Sequence, residues 1–161
     1  MMNAALYYTF LVYFITHIPI TLLVDFQVIF GEFYPSGLRA IERFYIETFH
    51  DILIRTKPVW FKSFIWLEAI LQVPFFFYVS WGLVTKRDKI RIPCIMYGAH
   101  VATTVWPILA EIIFTNELLS AQKMILLSFY LPYFLIPLVL MLYMAHHERP
   151  FTSDATKAKA T

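Results

Sequence analysis

The sequence predicts an all-α membrane protein: a bundle of four transmembrane helices with an amphipathic helix in the first loop. Three observations carry this expectation. The chain has 161 residues, 60% hydrophobic and only 15% charged, where ordinary soluble domains are about 25% charged. A chain this short cannot hide so much apolar surface from water, so lipid must be part of its solvent. Four apolar stretches, at 7–30, 63–85, 92–114 and 124–145, reach the roughly 20 residues that a helix needs to cross a bilayer. Residues 1–150 are expected to form this membrane domain, and the polar tail 151–161 to be disordered and cytosolic.

The first stretch carries no charge until Asp25. Its start lacks a basic leader and a small-residue cleavage site, so it reads as a retained span. In the loop that follows, Leu38, Ile41, Tyr45, Phe49 and Ile52 recur at intervals of three and four, with Arg39, Glu42, Arg43, Glu47 and His50 between them. That spacing marks an amphipathic helix on, or capping, the bundle. Pro35 and Ser36 suit its start, and Pro58 bars its continuation. Trp60 and Phe61 stand where aromatic side chains anchor at a membrane surface. The second and third stretches each hold one acid, Glu68 and Glu111, and the fourth holds none.

The short loop with Lys86, Arg87, Lys89 and Arg91 is densely basic, which places it and both termini in the cytosol. The tail ends K-A-K-A-T, with Lys157 and Lys159 spaced as in a dilysine signal for the endoplasmic reticulum membrane. A net charge of +2 without a basic face excludes a nucleic-acid partner. Cys94 is alone, so no internal disulfide is available. No residues stand at metal-ligand spacing, and no Gly-rich loop or nucleophile motif is present, so neither metal nor cofactor is expected. His146 and His147, beside Glu148, read as a membrane-edge cluster.

Ionisable groups at bilayer depth are costly and need a reason. His17, Thr21 and Asp25 lie a helical turn apart on one face of the first span. Glu68 and Gln72 repeat the pattern on the second, His100, Thr104 and Glu111 on the third, and Tyr130 and Tyr133 add hydroxyls from the fourth. Converging stripes, with prolines at 19, 74, 107, 132 and 137 bending the helices, would enclose a mostly apolar cavity. If Asp25 and Glu68 meet away from water, one keeps its proton, and the remaining charge suits an amine on an apolar skeleton. The alternative is interhelical hydrogen bonding with no ligand. For His17 and His100 the spacing leaves both a ligand-binding or acid–base role and a structural one open.

The segments His17 to Asp25, Glu32 to Pro35, Trp60 to Phe64, Glu68 with Gln72 to Phe76, and Tyr130 to Tyr133 ahead of Ile136 and Pro137 resemble the sigma-2 receptor branch of the EXPERA family. The resemblance covers nearly the whole chain. It implies a four-helix protein of the endoplasmic reticulum that binds sterols, oxysterols and cationic amphiphilic molecules in a lipid-accessible cavity and is linked to cholesterol traffic. It also implies that Asp25 takes the ligand amine, that Glu68 is its protonated partner, and that Gln72, Thr104, Tyr130, Tyr133 and His17 line the pocket. Asp51 matches a further acid of the family, and a homodimer is implied. The related sterol isomerases shift a ring double bond by proton transfer, which His17, Asp25 and Glu68 would perform here. Their first helix has a glutamate one turn after its histidine, where this chain has Thr21. That departure favours the binding reading over the enzyme, and Glu111 departs from the sigma-2 pattern.

Overall fold

A computed structural model describes residues 2–151. The tail with Lys157 and Lys159 lies outside them. The described residues are helical with no strand, and four helices are long and apolar enough to span a membrane: Ala4–Phe33, Val59–Val84, Asp88–Phe114 and Ser120–His146. Each starts three or four residues ahead of its hydrophobic stretch. Local chemistry sets the first two starts. The Asn3 side chain accepts from Leu6 N at 2.8 Å, satisfying a free helix-start amide, and Pro58 holds φ at −62° just before Val59.

The third and fourth spans form the most extensive helix pair, and the first packs on the second. Gly98 permits the former: a Cβ there would lie 2.5 Å from Pro137 O and 2.6 Å from Met141 Cβ. Such close backbone approach is how membrane helices associate without a hydrophobic drive. Outward faces remain apolar, with Val12, Ile70, Trp81 and Leu142 all exposed, as a lipid-facing surface requires.

Two apolar clusters fill the interior. One joins Phe10, Phe14, Phe76, Leu83, Tyr97 and Leu140, and the other joins Val28, Leu53, Phe61, Ile65, Ile112 and Leu126. In the first two spans the residues separating these clusters are the polar ones, from His17 to Asp25 and from Glu68 to Gln72.

The amphipathic loop helix runs Ser36–Phe49, shorter than the expected pattern, because His50 takes a left-handed conformation with φ 56°. Ile52 therefore belongs to a second short helix, Ile52–Thr56. Asp51 caps it, accepting from Leu53 N at 2.9 Å and Ile54 N at 3.1 Å. At the opposite end of the bundle, Met2 N donates to Pro150 O at 2.8 Å and Phe151 N to Asp88 Oδ1 at 2.9 Å. Arg91 donates to the carbonyls of Met144, Ala145 and His147. The start of the chain, the basic loop and the end of the fourth span thus share one side of the bundle.

Candidate functional site

Asp25 and Glu68 each lie on a π-helical turn. The first span passes from α-helix, Ala4–Ile20, into a π turn, Thr21–Asp25, which closes when Phe26 N donates to Thr21 O at 3.0 Å. The second passes from Val59–Leu67 into a π turn, Glu68–Gln72, closed by Val73 N on Glu68 O. Pro74 follows at once, and its missing N–H and bulky ring disfavour an undisturbed α-helical ladder there. A π turn inserts one residue and re-aims the side chains around it, a feature common at functional sites.

The two turns are bonded to each other. Thr21 is fully buried, and its hydroxyl donates to Glu68 Oε1 at 2.7 Å. His17 Nε2 lies 3.6 Å from the same oxygen. One carboxylate oxygen each from Asp25 and Glu68 and a ring nitrogen of His17 fall within 4.8 Å of one another. Gln72 Nε2 reaches His100 Nε2 at 3.5 Å, extending the polar group to the third span. Of the residues expected to act together, His17, Thr21, Asp25, Glu68 and Gln72 do converge.

Aromatic rings wall this group. His17 stacks on Phe76 with centroids 4.6 Å apart and meets Tyr133 edge-on at 4.8 Å. Tyr13 packs against His17 at 5.0 Å, and its hydroxyl is 3.2 Å from that of Tyr97. Tyr13, Phe76 and Tyr97 are neighbours that sequence reasoning missed. Their types are unremarkable in a chain that is 19% aromatic, and the only available signal was the position of Tyr13 one turn before His17. The two cavities described, each about 420 Å³, lie elsewhere: one by Gln27, Arg39 and Lys57, the other by Pro107 and Glu111. Beside the acids, the His17 ring stands among those of Tyr13, Phe76 and Tyr133.

Other expected residues sit differently. Thr104 turns its hydroxyl to its own helix, donating to Val101 O at 3.2 Å. The Tyr130 hydroxyl donates to Asp51 Oδ2 at 2.8 Å, and the Tyr45 hydroxyl donates to the same oxygen at 3.2 Å. Asp51 is fully buried and so joins the loop to the fourth span through four donors. Burial, and then the neighbouring Asp51 carboxylate, push the Tyr45 phenol above its ordinary pKa. Glu111 is exposed on the third span. His146 and His147 each engage the carbonyl four residues earlier, at 2.9 Å.

His17, Asp25 and Glu68 are of the types that ligate a divalent cation, a set that only tertiary structure assembles. A tetrahedral zinc site holds its ligand atoms about 3.3 Å apart, so this group would have to contract. His17 Nδ1 is buried with no partner among the described residues, whereas a ligating histidine is normally fixed through its second nitrogen.

The sequence model of EXPERA, the expanded EBP superfamily, matches residues 38–144. The chain is 41% identical to Sigma intracellular receptor 2 of Xenopus tropicalis, with 93% of this chain and 94% of that one covered. To the protein of that name from Homo sapiens it is 36% identical, covering 82% of each. It is also 32% identical to Efficient mitochondria targeting-associated protein 19 of Saccharomyces cerevisiae, covering 80% of this chain and 91% of that one. Four membrane-spanning helices, a polar group held between the first two, and a family match across most of the chain lead to one conclusion: this protein belongs to the EXPERA family.

Proposed function

We propose that this protein binds sterols, oxysterols and cationic amphiphilic molecules between its first and second spans, and that it serves cholesterol homeostasis and traffic. The observation that carries the reading is the meeting of Asp25 and Glu68 within 4.8 Å, beside His17, on spans whose outer faces are apolar. Two carboxylates so close and away from bulk water cannot both hold a charge cheaply, so the pair retains one proton. A ligand ammonium neutralises the other. The Thr21 hydroxyl, bonded to Glu68, holds Glu68 in place while Asp25 takes the amine. The ring of Tyr133 offers a face to the cation and a flat surface to a sterol skeleton. Relatives named as receptors support a binding role. We further infer residence in the endoplasmic reticulum membrane, with both termini cytosolic, and assembly as a homodimer.

Purified protein in detergent, titrated with a tertiary-amine amphiphile, tests the reading. Asp25→Asn should weaken binding roughly a hundredfold, the scale of about 3 kcal/mol for breaking a buried charge pair, with the fold intact by circular dichroism. Glu68→Gln, which keeps a neutral hydrogen-bonding group, should lose less. Unchanged affinity in a folded Asp25→Asn protein sinks the proposal. Mass spectrometry of copurified lipid identifies the sterol.

A second reading has one specific support: His17 Nε2 stands 3.6 Å from Glu68 Oε1, within reach of proton exchange after a small shift. In that case the protein is a sterol isomerase-like enzyme, with His17, Asp25 and Glu68 moving a ring double bond. Incubation with sterols differing in double-bond position, followed by chromatography, separates the two. Conversion that is lost in His17→Ala identifies the enzyme.

A further inference from the structure

The loop helix Ser36–Phe49 has three faces where an ordinary amphipathic helix has two. Leu38, Glu42, Tyr45, Ile46 and Phe49 are half-buried and the rest of the helix is exposed. The half-buried set faces the bundle, with Phe49 packed on Phe129 at 5.0 Å and Glu42 paired with Lys57 at 2.7 Å. At about 100° per residue, the exposed residues divide into two adjoining arcs of different chemistry. Arg39, Arg43 and Glu47 share one with Ser36 and His50. Ile41 and Phe44 share the other with Gly37, Ala40 and Thr48. The arc centres stand roughly 120° from each other and from the bundle face.

A helix in water has no use for a second apolar edge. Ile41 is 55% exposed and Phe44 64%, and their arc contains no ionisable residue. Phe33 and Val59, at the loop ends of the first two spans, are each 84% exposed. Large apolar side chains are therefore exposed at both ends of this loop as well as on its helix. Two large side chains make too small a patch for a stable contact with another protein chain, whereas lipid tails cover any apolar edge at that level.

We propose that this helix lies in the bilayer interface, with Ile41 and Phe44 among the acyl chains and Arg39 and Arg43 at the headgroup phosphates. Interfacial helices bury their apolar face about 5–10 Å below the headgroups. The bilayer then fixes the loop that carries Asp51, and through it Tyr130. This inference stands whether or not the paired acids bind an amine.

The unsubstituted chain in phosphatidylcholine vesicles can be labelled by a lipid-dissolved diazirine carbene and mapped by mass spectrometry. Ile41 and Phe44 should carry the label, and Arg43 and Glu47 should not. A second measurement places nitroxides at Ile41→Cys or Glu47→Cys in a Cys94→Ser background. The ratio of oxygen to nickel-chelate accessibility should be severalfold higher at position 41 than at 47. Equal ratios, with no carbene on Ile41 or Phe44, overturn the proposal. Shielding of position 41 from both reagents also overturns it, since another protein chain would then cover the edge.

Discussion

At the meeting of the two π turns the Thr21 hydroxyl donates across from the first span to the second. Replacing Thr21 with valine preserves shape and leaves Glu68 Oε1 without its 2.7 Å donor. Interhelical hydrogen bonds in membranes contribute about 1 kcal/mol, so Thr21→Val should lower the melting temperature modestly. It should weaken amine binding several-fold if Glu68 must be held in place, as scintillation binding on the purified variant would reveal. A melting temperature and affinity equal to those of the parent would assign the bond no role. The neighbouring aromatic residues act by volume, with His17 stacked on Phe76.

At the scale of the helices, two devices matter, the π turns and the close pair formed by the third and fourth spans. The π turns place Thr21 and Glu68 at the same level, so one hydrogen bond serves both. The helix pair rests on Gly98, where an added methyl meets a carbonyl oxygen at 2.5 Å. That oxygen belongs to backbone and cannot swing aside. Gly98→Ala should therefore force the spans apart and cost about 1–3 kcal/mol, the range for overpacking a filled core. Urea or thermal unfolding in detergent would register the loss, and no loss would mean that the helices separate freely.

For the whole molecule, the loop is tied to the bundle through Asp51, and that tie has a pH dependence. The Tyr45 phenol, which donates to Asp51, has its pKa raised by burial and by that carboxylate. A raised pKa means that the folded state keeps a proton which the unfolded chain loses at about pH 10. This contribution to stability is complete below about pH 10 and falls as pH rises above it toward the folded value. Melting temperatures measured from pH 8 to 11 should drop in the upper part of that range, and less steeply for Tyr45→Phe. Parallel curves for the two proteins would remove Tyr45 from the account. The opposite end of the molecule is held by Arg91 on three carbonyls and by Asp88 on Phe151, so both ends of the bundle are closed by polar contacts.

Much of this was legible from residue order. Span count follows from hydropathy, because each crossing helix must satisfy its own backbone and therefore displays a long apolar run. The His17–Thr21–Asp25 stripe follows from helical spacing, as does the pair Glu68 and Gln72. Resemblance to a family, carried by ordered motifs in every span, supplied the expected partnership of Asp25 with Glu68. What sequence could not show was which stripes meet. Tyr130 and Thr104 share the helical spacing of the site residues, yet one bonds Asp51 and the other its own helix, because rotation of a helix about its axis is decided by packing against its neighbours. The π turns were hidden as well, since one extra residue per turn leaves no periodic trace in so short a segment. The sequence by itself determined a four-span membrane chain carrying buried acids. Only the tertiary structure decided that Thr21 bonds Glu68, that aromatic rings surround His17, and that Asp51 ties down the loop, because these depend on distances between segments far apart along the chain.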